Sequence, residues 1–228
     1  MIKTTQPHAR RRCHRIIVID DHSLLRRGLA SLINNEPDLK VCAEAATHQA
    51  ALEEIPSKRP DLATVDLTLG DDDGLELIKE IRERHPSLPV LVISMHDEVL
   101  YAERAFRAGA SGYVTKQQLD EIVLVAIRSV LLDGHYMSPV MGRLFAKQYL
   151  GRHLRKKDCP FAALSDRELT VFRLIGEGKG TRQIAEHLNL SIKTIESHRE
   201  HLKTKLTFHS GVELARAAIH WVATGKIQ

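Results

Sequence analysis

Residues 62–78 read LATVDLTLGDDDGLELI. An apolar run reaches Asp66, a polar knot follows from Gly70 to Gly74, and an amphipathic stretch begins there. Burying a carboxylate costs free energy unless something compensates it, so Asp66 is the odd placement. Asp71, Asp72 and Asp73 can sit in water and read as a solvated loop and cap before a helix at Gly74. An apolar strand passing through a short loop into an amphipathic helix is half of a βα unit.

The same alternation runs from Ile16 to Leu131. Short apolar runs (IIVI, KVCAEA, LATVDL, VLVIS, GYVT) alternate with stretches of helical length, among them SLLRRGLASLI, GLELIKEIRER, EVLYAERAFRAG and LDEIVLVAIRSVLL. Strands that are apolar nearly throughout imply a parallel sheet covered on both faces. Five such units predict a flavodoxin-like (βα)5 domain over residues 15–132. In that fold the active groups gather at the carboxyl ends of the strands. Asp20 and Asp21 end the first run, Asp66 the third and Ser94 the fourth, while Lys116 lies just past the fifth.

Carboxylates converging there would repel one another without a cation among them. Oxygen ligands suit Mg²⁺, and a carboxylate can also act as a nucleophile toward a phosphoryl group. A nearby lysine balances the charge that develops.

After Leu131 the pattern changes. Asp133-Gly134 marks a stop, and residues 133–161 read as a linker with one moderately amphipathic piece, VMGRLFAKQYL, and the basic run RHLRKKD. From 162 to 228 the runs are short and helical. Ser165 opens a helix with Glu168 placed for a capping box, GEGKG breaks the chain, Thr181 caps TRQIAEHL, NLS turns, and Ser191 caps IKTIESHREHLKTKL. A last helix runs from about Val212 to Thr224. The prediction is an all-α, four-helix helix-turn-helix domain.

Charge divides the same way. Residues 1–15 carry +5, residues 16–130 carry −8 and residues 131–228 carry +7, for a net +4. The basic end is a candidate for nucleic acid. Three widely spaced cysteines, Cys13, Cys42 and Cys159, suit a reduced, cytoplasmic protein. The start, MIKTTQPHARRRCHR, lacks the apolar segment of a secretory signal, and no run approaches the roughly 18 apolar residues of a membrane span.

IIVIDDHSLLRRGL, VDLTLGDDDGLEL, VISMHDE and AGASGYVTK closely resemble the receiver domain of NarL/FixJ-type response regulators. The resemblance implies that Asp66 is phosphorylated by a sensor histidine kinase. It also implies that Asp20, Asp21, Asp66 and the backbone carbonyl of Thr68 hold Mg²⁺, and that Lys116 pairs with the phosphoryl group. Ser94 and Tyr113 then correspond to the family's conformational switch, and Thr68 and His96 to positions that tune phosphoryl lifetime. Such a protein is no enzyme toward an external substrate, although a receiver catalyses its own dephosphorylation. One departure stands out: Gly70 occupies a position where proline is common. A phosphatase of the haloacid dehalogenase type also uses a strand-end aspartate, but needs a second acid two residues on, where this chain has Thr68.

Residues 162–225 resemble the LuxR-type helix-turn-helix. Taking Ile195, Leu202 and Leu206 as inward, the opposite face of the proposed recognition helix holds Lys193, Ser197, Glu200 and Thr204, flanked by Glu196, His201 and Lys203. The expected DNA-contacting set is Thr181, Lys193, Thr194, Glu196, Ser197, Arg199, Glu200 and Lys203. The two glutamates either accept from cytosine or pair with Arg199 or Lys203 along the helix. The whole reads as a DNA-binding transcription regulator that binds double-stranded DNA and dimerises on phosphorylation. Its alternative is a phosphorylation-independent regulator whose receiver is only an interaction module.

Overall fold

The computed structural model describes residues 13–70, 72–96, 98–149 and 163–224. The basic amino-terminal arm, Asp71, Cys159 and the run at 152–158 lie outside them.

The chain opens with β1 (His14–Ile19), α1 (Ser23–Asn34), β2 (Leu39–Ala45), α2 (His48–Lys58) and β3 (Leu62–Val65). A two-residue hairpin, β4 (Thr68–Leu69) and β5 (Asp72–Asp73), leads into α3 (Gly74–Arg84). Then come β6 (Val90–Ser94), α4 (Glu98–Ala108), β7 (Gly112–Thr115), a 3₁₀ turn at Lys116–Gln118 and α5 (Leu119–Asp133). The five long strands form one sheet in the order β2-β1-β3-β6-β7, every pair parallel. This is the flavodoxin-like arrangement expected.

Strand alternation explains why the runs are apolar throughout. Ile16 and Val18 join Leu29 and Ile33 of α1 and Val123, Ile127 and Val130 of α5 in one core. Ile17 and Ile19 point to the other face and are equally buried. Both faces are therefore covered. The first strand has β2 on one side and β3 on the other, so the order reverses between them. A crevice opens at such a point beyond the carboxyl ends of the strands.

The second helix, α2, is capped by Thr47, whose side chain accepts from the Ala50 amide, and it carries Pro56 in its interior. Gly134, in the left-handed region, stops α5 where Asp133-Gly134 was expected to. The expected linker contains α6 (Pro139–Tyr149).

The carboxyl-terminal helices are α7 (Asp166–Gly176), α8 (Thr181–His187), α9 (Ile192–Leu206) and α10 (Gly211–Thr224). Their core includes Leu169, Phe172, Ile184, Ile195, Leu202, Leu214, Ala218 and Trp221. Trp221 packs its ring 5.5 Å from that of Phe172, centroid to centroid. Two caps form as read: Ser165 and Glu168 make a reciprocal capping box on α7, and Ser191 accepts from the Thr194 amide on α9. The third differs. Gly180 is the N-cap of α8 and Thr181 its first helical residue. Gln183 reaches back to accept from the Gly180 amide at 2.8 Å, the half of a capping box that the third helical residue supplies, and the bond expected from a threonine cap is not made.

Candidate phosphoryl-acceptor site and DNA-facing helix

Asp66 follows β3, and its amide donates to the Ile19 carbonyl at 2.9 Å, which ties the ends of β1 and β3 together. Gly74 lies directly behind it. A Cβ at Gly74 would come within 2.3 Å of the Asp66 carbonyl oxygen, so only glycine lets α3 start this close. Asp73 caps that helix, accepting from the Leu75 amide at 2.9 Å, as expected of the knot.

Asp20, Asp66, Ser94 and Lys116 are all buried and converge in the crevice. The Lys116 ammonium lies 2.6 Å from Asp20 Oδ2 and 2.8 Å from Asp66 Oδ2. Asp66 Oδ1 is buried with no hydrogen-bond partner. Desolvation pushes the Asp66 carboxyl above its ordinary range; the Lys116 charge opposes this and the Asp20 charge adds to it. For Lys116, desolvation is the largest influence and favours the neutral amine, yet Asp66 and Asp20 together hold its pKa above the usual value.

Ligand atoms of Asp20, Asp21, His22 and Asp66 all lie within 4.8 Å of one another. Three carboxylates, one with an unsatisfied buried oxygen, form a hard oxygen donor set of the kind Mg²⁺ takes. The His22 imidazole stands at the N-cap of α1 without a side-chain cap bond, and its Nδ1 donates to Asp21 Oδ1 at 2.7 Å.

Around the acids, the Ser94 hydroxyl accepts from the His96 amide at 3.3 Å. Thr68 Oγ1 and His96 Nε2 are 3.1 Å apart. The Tyr113 ring is buried, and its hydroxyl donates to the His96 carbonyl at 3.0 Å. Every expected receiver residue thus falls at this one edge of the sheet.

On α9, Ile195, Leu202 and Leu206 are buried, while Lys193, Glu196, Ser197, Glu200, His201 and Thr204 are exposed. The inward and outward faces are those read from the periodicity. Thr194 is half-buried beside the cap, its hydroxyl 2.8 Å from that of Ser191. Glu200 forms an ion pair with Lys203 at 2.8 Å in the unbound chain. Arg199 is half-buried.

The receiver-domain family model ("Response regulator receiver domain") matches residues 16–128. A second ("Bacterial regulatory proteins, luxR family") matches residues 162–218. Oxygen regulatory protein NreC of Staphylococcus carnosus is 32% identical over 209 residues, covering 90% of this chain and 96% of its own. The NreC protein of Staphylococcus haemolyticus is 33% identical over 210 residues, with the same coverage. The chain belongs to the NarL/FixJ-type response regulators. Among solved structures, RcsB of Salmonella enterica serovar Typhimurium, bound to a promoter in the presence of phosphomimetic BeF3⁻, superposes with a TM-score of 0.67 at 26% identity. It covers 90% of this chain and 97% of that one. A LuxR-family regulator from Aurantimonas gives a TM-score of 0.55 at 36% identity, covering 60% and 98%.

Sequence reasoning missed three features of this response regulator's site. The Gly70 amide donates to Asp21 Oδ2 at 2.9 Å. The Arg26 guanidinium donates to the Asp20 carbonyl at 2.5 Å and lies 3.4 Å from Glu44. Asp72 Oδ2 accepts from the His48 amide at 3.3 Å. A helical arginine five residues past the acid pair could have signalled the second. Bonds to backbone atoms carry no residue signature, so nothing signalled the others.

Proposed function

We propose that this response regulator accepts a phosphoryl group on Asp66 from a sensor histidine kinase and uses it to control binding of its LuxR-type unit to double-stranded DNA. The observation that carries the reading is the buried, unpartnered Asp66 Oδ1 beside a carboxylate oxygen already paired with Lys116.

In the transfer, Oδ1 attacks phosphorus as the bond to the donor imidazole nitrogen breaks, and the departing imidazole keeps that electron pair. An acyl phosphate is left on Asp66. The desolvated carboxylate is poorly stabilised where it sits, which keeps it available as a nucleophile. The ammonium of Lys116, already between Asp20 and Asp66, balances charge on the transferred oxygens without reorganising. The Ser94 hydroxyl, at the end of the adjoining strand, can donate to a phosphoryl oxygen. Asp20, Asp21, Asp66 and the Thr68 carbonyl are the groups that would hold Mg²⁺, which neutralises the converging negative charge when bound. Thr68 and His96 sit where they tune hydrolysis of the acyl phosphate, the receiver's own dephosphorylation. Ser94 and Tyr113 read occupancy by exchanging partners.

On the DNA side, α9 enters the major groove. The exposed Lys193 and Ser197, with Thr181, Thr194, Arg199 and Lys203, contact phosphate or base edges, and Glu196 and Glu200 border them. Phosphorylation shifts the receiver toward the state that dimerises, and a dimer presents two such helices to two half-sites. A regulator of this kind works in the cytoplasm, with the chromosome. The receiver domain spans residues 15–132, the linker 133–161 and the DNA-binding domain 162–228.

Intact-mass spectrometry after incubation with acetyl phosphate and Mg²⁺ tests the reading. One phosphoryl mass is expected, absent with EDTA and in Asp66→Ala. An unmodified wild type would favour a receiver that acts only as an interaction module.

A further inference from the structure

Asp20 is held by the His22 amide and by Lys116, and Asp21 likewise has a donor on each carboxylate oxygen. His22 Nδ1 donates to Oδ1 at 2.7 Å, and the Gly70 amide donates to Oδ2 at 2.9 Å. The side chain is a quarter exposed, so burial alone does not fix its rotamer. Gly70 sits at the turn of the β4–β5 hairpin with φ +61°. Its amide reaches Asp21 only because the residue there is not proline, which has no N–H. The hairpin is tied at two further points, through Thr68 to His96 and through Asp72 to His48, so the donor is held in place.

We propose that His22 and the Gly70 amide are positioning residues for the divalent cation. They clamp Asp21 from both sides and leave each of its oxygens a lone pair directed at the crevice. The inference rests on the Mg²⁺-dependent reading of the acid cluster. Outer partners of this kind orient a ligating carboxylate, and their loss costs about 10- to 100-fold in metal affinity. In this arrangement His22 acts through Asp21, to which its Nδ1 is bonded, and not as a ligand.

His22→Ala is a clean probe, since the imidazole makes no cap bond to α1. Gly70→Pro deletes the amide proton and also forces the backbone away from its positive φ, so His22→Ala carries the test and Gly70→Pro supports it. Gly70→Asn keeps the proton, and asparagine tolerates a positive φ; no atom lies within 4 Å of a Cβ built at Gly70. Calorimetric titration of each full-length variant with Mg²⁺ and with Mn²⁺ reads the affinity, and phosphorylation by acetyl phosphate is followed across Mg²⁺ concentration. His22→Ala and Gly70→Pro are expected to weaken both cations by about tenfold or more, and Gly70→Asn to restore affinity to within about threefold of wild type. The maximal phosphorylation rate at saturating Mg²⁺ is expected to stay within about twofold, because Asp66 and Lys116 are untouched.

Unchanged affinity in His22→Ala and Gly70→Pro, with wild type binding normally, overturns the clamp. A loss for Mn²⁺ alone also overturns it, since Mn²⁺ accepts imidazole more readily than Mg²⁺ does and His22 would then be a direct ligand. A fall in maximal rate that saturating Mg²⁺ does not restore overturns it as well. Failure of wild type to bind Mg²⁺ would instead refute the reading of the cluster on which the clamp depends.

Discussion

The acid cluster and the DNA-facing helix are built on opposite terms. At the cluster, four polar side chains are buried together, and one carboxylate oxygen is left without a partner. On α9 the outward side chains stand in water, and Glu200 and Lys203 already satisfy one another. The first site stores unfavourable free energy in its unliganded form; the second stores almost none. Loss of a group should therefore change chemistry and stability together at the cluster, and binding alone on the helix.

Asp66→Asn should test this contrast most sharply. Acyl-phosphate formation is expected to disappear, read by intact mass. Stability should rise, because burial has lifted the Asp66 pKa. A raised carboxyl contributes stability below its unfolded pKa and loses it as pH climbs through the folded value. At neutral pH the ionised group is therefore a liability that asparagine removes. Without Mg²⁺, thermal unfolding of the receiver should shift upward. With Mg²⁺ at a hundred times its Kd the wild type should gain about 2.7 kcal/mol, and the variant clearly less. A variant less stable than wild type without Mg²⁺ would show that the bond from Lys116 outweighs desolvation.

The counterpart in the DNA-binding unit is Glu168, the one buried carboxylate there among the described residues. It is fully compensated. Its Oε2 accepts from the Ser165 amide at 2.7 Å and from the Lys205 ammonium at 2.6 Å, and the Ser165 hydroxyl completes the box. Glu168→Ala removes a cap and leaves donors unpaired, which costs about 2 kcal/mol or more. Trp221, the only tryptophan, is packed in that unit, so its fluorescence reports the unfolding. A loss below 0.5 kcal/mol, on the scale of exposed ion pairs, would mean that Lys205 contributes no more than a surface charge.

These two carboxylates also show what a sequence exposes. Asp66 was legible because a charge at the end of LATVDL breaks an apolar run, and the strand-end rule then collects Asp20, Ser94 and Lys116 around it. Half of Glu168's role was legible, since its capping partner is three residues away. The other half, Lys205, is 37 residues distant and one of many lysines. The Gly70 and Asp21 contact was invisible for the same reason: its donor is a backbone amide 49 residues away. Periodicity gave the inner and outer faces of α9 correctly because burial imposes it, but gave nothing on which outer residues already pair with each other.

Lys193→Ala should leave stability unchanged and weaken DNA binding at every sequence alike. If Lys193 holds a phosphate, the slope of log affinity against log salt should become shallower by about 1. Glu200→Gln releases Lys203 and should tighten non-specific binding modestly. A sequence-dependent loss in Lys193→Ala would move that residue from the backbone to a base edge.

The smallest expected effect comes from His198, on the half-buried side of α9. Its Nδ1 is buried without a partner. Desolvation lowers its pKa; Glu168 pulls the other way, and Arg167, His201 and Lys205 add to the lowering. The imidazolium needs acceptors for two N–H groups, so the fold prefers the neutral ring. Stability should then be full above the unfolded histidine pKa of about 6.5 and fall as pH drops below it toward the lowered folded value. Glu168 adds a second, more acidic step. Burial, the largest influence on it, raises its pKa, but Lys205 and Ser165 together hold it below the usual carboxylate range. Its contribution is complete above about 4.3 and lost as pH falls through its folded value. Tryptophan-monitored unfolding from about pH 8 to about pH 2 should show both steps. His198→Gln, with no titrating group, should erase the upper one and leave the lower. Survival of the upper step in that variant would assign it to another group and would make the half-buried ring of α9 a packing residue without a role in the pH response.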